Sequence, residues 1–273
     1  MNDAFDLPAY LARIAFPGAP GTTLRDLEAL HAAHTRAIPF ENLDIHLGRP
    51  IRLDLASLQA KLVAGGRGGY CFEQNSVFAA ALEALGFAVR LREARVRRGA
   101  DGAAGPMARS HLALEVALGD GPWLADVGFG GDGILGPVPL DGREVERDGD
   151  RNRVVTEGAR QVLQAWRDGE WKDLYALEPG EVFPVDLKVA NHYTSTHPDS
   201  KFTQVITVQR CAPGDRAWLR GLSFTRGGVT RELEPGDLLG VLDAAFGLRF
   251  PPGTRFSAPQ DPAGKQEDPP HQG

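Results

Sequence analysis

Cys71 stands in the stretch GGRGGYCFEQNSVFAAALEALG, between a glycine-rich loop and a run with helical periodicity. A cysteine that opens a helix meets unpaired backbone N–H groups and the positive end of the helix dipole. Both favour the thiolate, the nucleophilic form of the side chain. The same N–H groups can hold the oxyanion that develops during acyl transfer. The glycines at 65, 66, 68 and 69 allow a sharp turn and leave room for a substrate beside the sulfur. Arg67 either adds positive charge or ties the loop down through a carboxylate such as Glu73. A lone cysteine is commonly a small buried apolar residue; the glycine loop and the helix start favour the chemical reading. The stretch lacks the Lys-Ser/Thr pair of a phosphate-binding P-loop, which excludes that use.

A nucleophilic cysteine needs a base, and the base needs an orienting group. There are seven histidines. His31 and His34, three apart on a helix, read as surface or satisfied core residues rather than metal ligands. His46 falls in a loop and His271 in the C-terminal tail. His192 and His197 lie in what reads as a Ser/Thr/Asn-rich turn and stay in play. His111 opens the strand HLALEVAL, on the opposite face from Leu112, Leu114, Val116 and Leu118. The following strand, PWLADV, carries Asp126 among apolar neighbours, where an acid is costly to bury without hydrogen bonds. An even-length loop between the two strands puts His111 and Asp126 on one face. A loop centred near Leu118-Gly119 sets them directly opposite, whereas a turn at Asp120-Gly121 leaves them about four residues out of register, a choice the pattern leaves open. GFGGDG, directly after Asp126, has the spacing of a dinucleotide fingerprint, but the prolines of ILGPVPL forbid the helix that motif requires. What remains is a glycine turn that could let an extended ligand approach the backbone.

These residues must be held by two kinds of element. The first third reads helical: TTLRDLEALHAAHTRA with Thr23 as N-cap, LDLASLQAKLVAGG with Asp54 as cap and Gly65 as stop, and the run from Cys71 to Gly86. From Phe87 the pattern alternates with period two, in FAVRLREARV, HLALEVAL, PWLADVGF, RVVTEG, a hairpin turning at Asp168-Gly169, and FTQVITVQRC. Such a series of short strands predicts a barrel or sandwich. PGDLLGVLDAAFGL reads as a further helix, and the tail from Ser257 has no apolar content and reads as disordered.

The totals limit the function. At 273 residues, 42% hydrophobic and 24% charged, the chain falls in the ordinary soluble range. A net charge of −6 argues against nucleic acid as the main partner. The five arginines of RLREARVRRG read as a solvated strand face. The N-terminus has no basic segment leading into an apolar one, and no apolar stretch is long enough to span a membrane. With two cysteines only, a reduced, cytoplasmic protein is expected. No metal constellation is visible.

RGGYCFE (67–73), SHLALEV (110–116) and WLADVGFG (123–130) resemble, in order and spacing, the three signature segments of the arylamine N-acetyltransferases. IPFENLDIHLG and STHPDSKF resemble recurring segments of the same family, so the similarity runs from about Ile38 to Phe202. The resemblance implies an α+β multidomain fold: an N-terminal helical domain (1–86), a central antiparallel β-barrel (87–190), an interdomain segment (191–203), an α/β lid (204–256) and a tail (257–273). It implies a Cys71–His111–Asp126 triad, the same residues chosen above on chemical grounds. It further implies acetyl-CoA as acyl donor, no metal, and arylamines, arylhydrazines or N-hydroxyarylamines as acceptors. The acceptor pocket would draw on Phe40, Val96, Ser110, Phe129 and Phe202, and Gly130 and Gly131 would lie along CoA. A cysteine hydrolase or transglutaminase-like enzyme, an amide synthase, and a non-catalytic binding module are the competing readings; acetyl-CoA turnover separates the first from the family's activity.

Overall fold

The computed structural model describes residues 5–97 and 107–257. Helix α1 (Leu7–Arg13) starts behind the Asp6 cap, whose carboxylate accepts from the Ala9 N–H. Helix α2 (Leu24–Ala37) opens with the Thr23–Asp26 capping box expected from the sequence, each side chain accepting the other residue's backbone N–H. Strand β1 (Phe40–Glu41) and the one-turn helix α3 (Leu43–His46) follow. Helix α4 (Leu55–Leu58), capped by Asp54, loosens into a π-helical turn over Gln59–Ala64 and stops at Gly65. Helix α5 (Cys71–Ala84) begins at the cysteine itself. Apolar faces of these helices meet in one core, including Tyr10, Leu27, Leu30, Leu62, Phe78 and Leu82.

That core is closed on one side by a sheet. Strands β2 (Ala88–Val96), β3 (Arg109–Leu118), β4 (Gly121–Ala125), β5 (Val138–Pro139), β6 (Val145–Arg147), β7 (Asp150–Glu157), β8 (Arg160–Arg167) and β9 (Glu170–Leu177) form an antiparallel sheet in the order β5-β4-β3-β2-β9-β8-β7-β6. β5 comes back against β7, so the eight strands make a nearly closed barrel. Strand β3 is buried on both faces. Leu114 and Val116 join the helical core, while Ala113 joins the barrel interior with Leu124 and Tyr175. The β8–β9 hairpin turns at Asp168-Gly169 with positive φ at both residues, the geometry a two-residue hairpin loop demands. In the arginine run, Arg90, Arg92, Arg95 and Arg97 each pair with a carboxylate, but only Arg90 is exposed and the other three are half-buried rather than solvated; Arg98 lies outside the described residues.

The C-terminal part differs from the expectation in three places. NHYTST, read as part of a turn, is the second half of helix α6 (Pro184–Thr196), begun by Pro184 and the Phe183–Asp186 cap, with His192 on it and His197 at its end. The first residues of FTQVITVQRC are helical, in α7 (Lys201–Gln204), because Ser200 caps them before the strand starts. The second sheet, β1-β10-β11-β12-β13, takes in β10 (Thr207–Ala212), β11 (Asp215–Arg220), β12 (Ser223–Arg226) and β13 (Val229–Glu232). Its edge strand β1 comes from the first third of the chain, Phe40 lying opposite Gln209. Helix α8 (Leu238–Phe246) covers this sheet and ends in the αL residue Gly247. Residues 258–273 lie outside the described part, but Ser257 is tied by its N–H and hydroxyl to the His46 carbonyl. Among the described residues no helix is long and apolar enough to cross a membrane.

The glycine loop before Cys71 has a physical explanation different from substrate clearance. Gly69 and Glu41 bond across main chains, and a methyl group on Gly68 would strike the Pro39 carbonyl. A methyl on Gly69 would sit 2.8 Å from the Glu73 side chain. The glycines therefore let the IPFEN segment and the capping carboxylate press against the loop. Because the obstacle at Gly68 is backbone, Gly68→Ala should destabilise the protein by about 1–3 kcal/mol, read as a shift in urea midpoint at unchanged slope.

Candidate active site

Helix α5 packs on β2 and β3, which sets Cys71 beside the start of β3. Cys71 is 3% exposed, its sulfur lies 3.6 Å from the Ser110 carbonyl, and it is close enough to the His111 side chain to help raise that ring's pKa. His111 Nε2 is 2.7 Å from Asp126 Oδ2, so Nδ1 is the nitrogen left for the sulfur. The β3–β4 turn falls at Gly119-Asp120, pairing Leu118 with Gly121 and Leu114 with Ala125. Continuing that register puts Asp126 opposite Ala113, diagonal to His111 on the same face. The turn lies between the two considered from the sequence, and a diagonal pair remains within reach of long side chains.

Both carboxylate oxygens of Asp126 are fully used. Oδ2 accepts from His111 and from the Tyr175 hydroxyl at 2.9 Å, and Oδ1 accepts from Asn75 Nδ2 and the Gly128 N–H, each at 2.9 Å. Burial alone would push this carboxyl up, but His111 and these donors hold it below the usual carboxylate range. Burial would likewise lower His111, yet Asp126 and Cys71 push it up to about 10. The site thus favours an imidazolium between two acidic groups.

Asn75 and Tyr175 escaped the sequence reading. Asn75 lies one helical turn from Cys71, and a fully buried amide in an apolar helix was the available signal. It donates to the Leu112 carbonyl at 2.6 Å as well as to Asp126, and accepts from the Val127 N–H at 3.0 Å. Tyr175, in DLYAL on β9, carries no local mark that distinguishes it from core. Gly128 has a clear reason to be glycine: a Cβ there would be 2.7 Å from Cys71 Cα and 2.8 Å from Asn75 Nδ2.

The five residues assigned to the acceptor pocket gather around the triad. Phe40 packs with Cys71, Tyr70, Phe72, Leu112 and Leu187, with Phe202 at the margin of the cluster, its ring 5.8 Å from Phe40's. Phe129 stands edge-on to His111 at 5.1 Å and also contacts Tyr175. Ser110 offers its carbonyl to the thiol, and Val96 lies opposite Tyr175 at the end of β2. Gly130 and Gly131 face the second sheet: the Gly131 N–H bonds Gln209 Oε1 at 2.7 Å, and Trp218 fills the space a side chain at Gly131 would need.

Arg67 does hold the loop, through Glu41 (2.9 Å from its Nε) and Asp44 (3.1 Å), and it stacks on Phe250. Glu73, the acid considered beforehand, is bound by Lys61 instead, at 2.7 Å. Lys61 also reaches Asp44, so three acids and two bases interlock beneath the cysteine loop. His31 and His34 are core residues, the latter between the Tyr10 hydroxyl and Gln74. Among the described residues no group of three or more His, Cys, Asp or Glu side chains could hold a metal ion.

The chain matches the N-acetyltransferase family over residues 23–253. It is 41% identical to the arylamine N-acetyltransferase of Mycolicibacterium smegmatis over 248 residues, 88% of this chain and 90% of that protein. The chain belongs to the arylamine N-acetyltransferase family. It is accordingly an acyltransferase. A Salmonella typhimurium family member named arylamine N-acetyltransferase / N-hydroxyarylamine O-acetyltransferase is 34% identical, covering 89% of this chain and 88% of its own. The Mycobacterium marinum arylamine N-acetyltransferase solved in complex with CoA superposes with a TM-score of 0.83 at 36% identity, over 89% of this chain and 92% of that one.

Two buried groups, Glu73 and His111, each contribute stability that is lost as pH rises. Burial pushes Glu73 up to about 7 against the opposing pull of Lys61, from an ordinary 4.5. His111 is raised from 6.5 to about 10. A folded-state pKa above the unfolded one gives stability that is complete below the unfolded value and is lost as pH passes the folded value. Between pH 4.5 and 6.5 the decline from Glu73 is outweighed by His31 and His34, which burial lowers to about 4 and about 3 and which therefore add stability as pH rises. A net decline in unfolding free energy is expected above 6.5, over the His111 window up to about 10. Urea unfolding across pH should show the decline above pH 6.5, and Glu73→Gln should make stability rise more steeply between 4.5 and 6.5 while leaving the upper window unchanged.

Proposed function

We propose that the protein transfers acetyl from acetyl-CoA to arylamines and arylhydrazines, and to the oxygen of N-hydroxyarylamines, through an acetyl-Cys71 intermediate. The observation that carries this reading is His111 held by Asp126 at 2.7 Å on one ring nitrogen while its other side meets Cys71 at the start of α5. The Cys71 thiolate attacks the thioester carbonyl, and the first-turn N–H groups of α5 at Cys71 and Phe72 stabilise the tetrahedral oxyanion. The carbon–sulfur bond to CoA breaks, and His111 supplies the proton to the departing thiolate. The acceptor nitrogen then attacks the acetyl-cysteine, its proton passes to His111, and the thiolate is regenerated. Phe40, Phe129 and Phe202 give the acceptor an aromatic wall, and their apolar surface protects the intermediate from hydrolysis. The reaction needs no metal, and its setting is the cytoplasm.

Brief mixing with acetyl-CoA in the absence of amine, followed by intact-protein mass spectrometry and peptide mapping, tests this. One acetyl group should appear on Cys71 and vanish when an arylamine is added. A Cys71 that alkylates readily with iodoacetamide yet never takes up acetyl would overturn the donor and point to hydrolase or longer-chain acyl chemistry.

A further inference from the structure

We propose that His31 is a positioning residue for the reaction, acting on the main chain of Asp126 from the first-domain helix α2. The inference rests on the reading above that Asp126 orients His111. His31 is fully buried, and its Nε2 lies 2.9 Å from the Asp126 carbonyl oxygen. A carbonyl only accepts, so Nε2 carries the hydrogen and donates. The N–H of the same peptide group, on Val127, donates to Asn75 Oδ1 at 3.0 Å. The 126–127 peptide is therefore gripped from opposite ends by α2 and α5, and its rotation would swing the carboxylate away from His111.

The rest of the His31 environment argues that this bond is the reason for a histidine. Its Nδ1 is buried with no hydrogen-bond partner among the described residues, an arrangement that costs stability. The ring otherwise packs edge-on to Phe78 at 6.1 Å, as Leu or Phe would at no polar cost. The charged or titratable groups that act on it are Asp126 on the strand side, Arg147 from the barrel and His34 on its own helix. Burial keeps the ring neutral, consistent with a fixed donor.

Two measurements test the inference. In wild-type protein, 15N–1H multiple-bond NMR should show His31 as the Nε2–H tautomer, unchanged between about pH 5.5 and 8.5. An Nδ1–H tautomer, or titration within that interval, would overturn it whether or not any variant folds. In variants, His31→Leu removes the donor but keeps apolar bulk, while His31→Gln retains an N–H of comparable reach. The leucine variant should lose about 10-fold in kcat at unchanged KM, with the pH profile of Cys71 alkylation displaced. Glutamine should restore most of both. A purely structural histidine would lower the melting temperature and leave kcat and the profile alone, and that result would sink the proposal. Should Asp126→Asn itself leave turnover intact, the fault would lie in the underlying reading rather than in His31.

Discussion

Cys71→Ala should retain the fold and lose acetyl transfer by about 10⁵-fold or more, the scale seen when a nucleophile that acts as a unit with its base is removed. The fold should survive because the cysteine is a small member of an aromatic and aliphatic cluster whose larger side chains, Phe40, Tyr70, Phe72 and Leu187, stay in place. Alanine removes one sulfur atom from that cluster and leaves the His111–Asp126 pair in place, so the thermal midpoint should move by only a few degrees, roughly 1–2 kcal/mol. The chemistry should fail because the thiol that takes the acyl group is gone. Cys211 cannot substitute: it is buried, donates to the Gly133 carbonyl at 3.1 Å, and is pushed up to about 12 by burial. Single-turnover mixing with acetyl-CoA checks both halves, since the variant should fold, show no acetyl adduct and release no CoA. Turnover at the wild-type rate would end the covalent mechanism outright.

The Cys71–His111–Asp126 cluster was legible because each member breaks a local rule. Cys71 stands at a glycine loop and a helix start, and Asp126 is an acid in an apolar strand. His111 shares a face with Asp126 by strand parity, and parity was enough: the actual turn at Gly119-Asp120 shifted the register by two and kept the face. What escaped were residues whose role exists only in three dimensions. Asn75 looks like any polar helix position until Asp126, the Leu112 carbonyl and the Val127 N–H converge on it. Tyr175 arrives from β9, some fifty residues downstream in the chain, as a consequence of β2 pairing with β9. The same holds for β1, two residues whose sheet partner lies at Gln209. Helix α6 escaped for a different reason. Its exposed apolar residues Val185, Val189 and Tyr193 follow a helical spacing, but the Asn, Thr and Ser residues at its end read as turn chemistry.

Asp126→Asn should lower kcat by about 10³–10⁴-fold, the scale found when an orienting carboxylate of a triad becomes an amide. The magnitude follows from the wiring. Each oxygen of Asp126 faces only donors, His111 and Tyr175 on one side, Asn75 and Gly128 on the other. An amide has one oxygen, so its NH2 must confront one of these pairs whichever way it is turned. If the NH2 faces His111, the ring must present a lone pair there, which places the proton on the nitrogen needed by Cys71. If it faces Asn75 and Gly128, the loop against Cys71 Cα is pushed away. In both cases the negative charge that raises His111 is gone, and burial, which acts in the opposite direction, is no longer outweighed. Iodoacetamide alkylation of Cys71 should therefore require higher pH in the variant, because the thiolate loses its imidazolium partner. The stability decline expected of wild type above pH 6.5 should vanish with it, since His111 loses the carboxylate that raises it. An unchanged alkylation profile combined with a large fall in kcat would mean that Asp126 serves a later step, and the link from Asp126 through His111 to the sulfur would have to be abandoned.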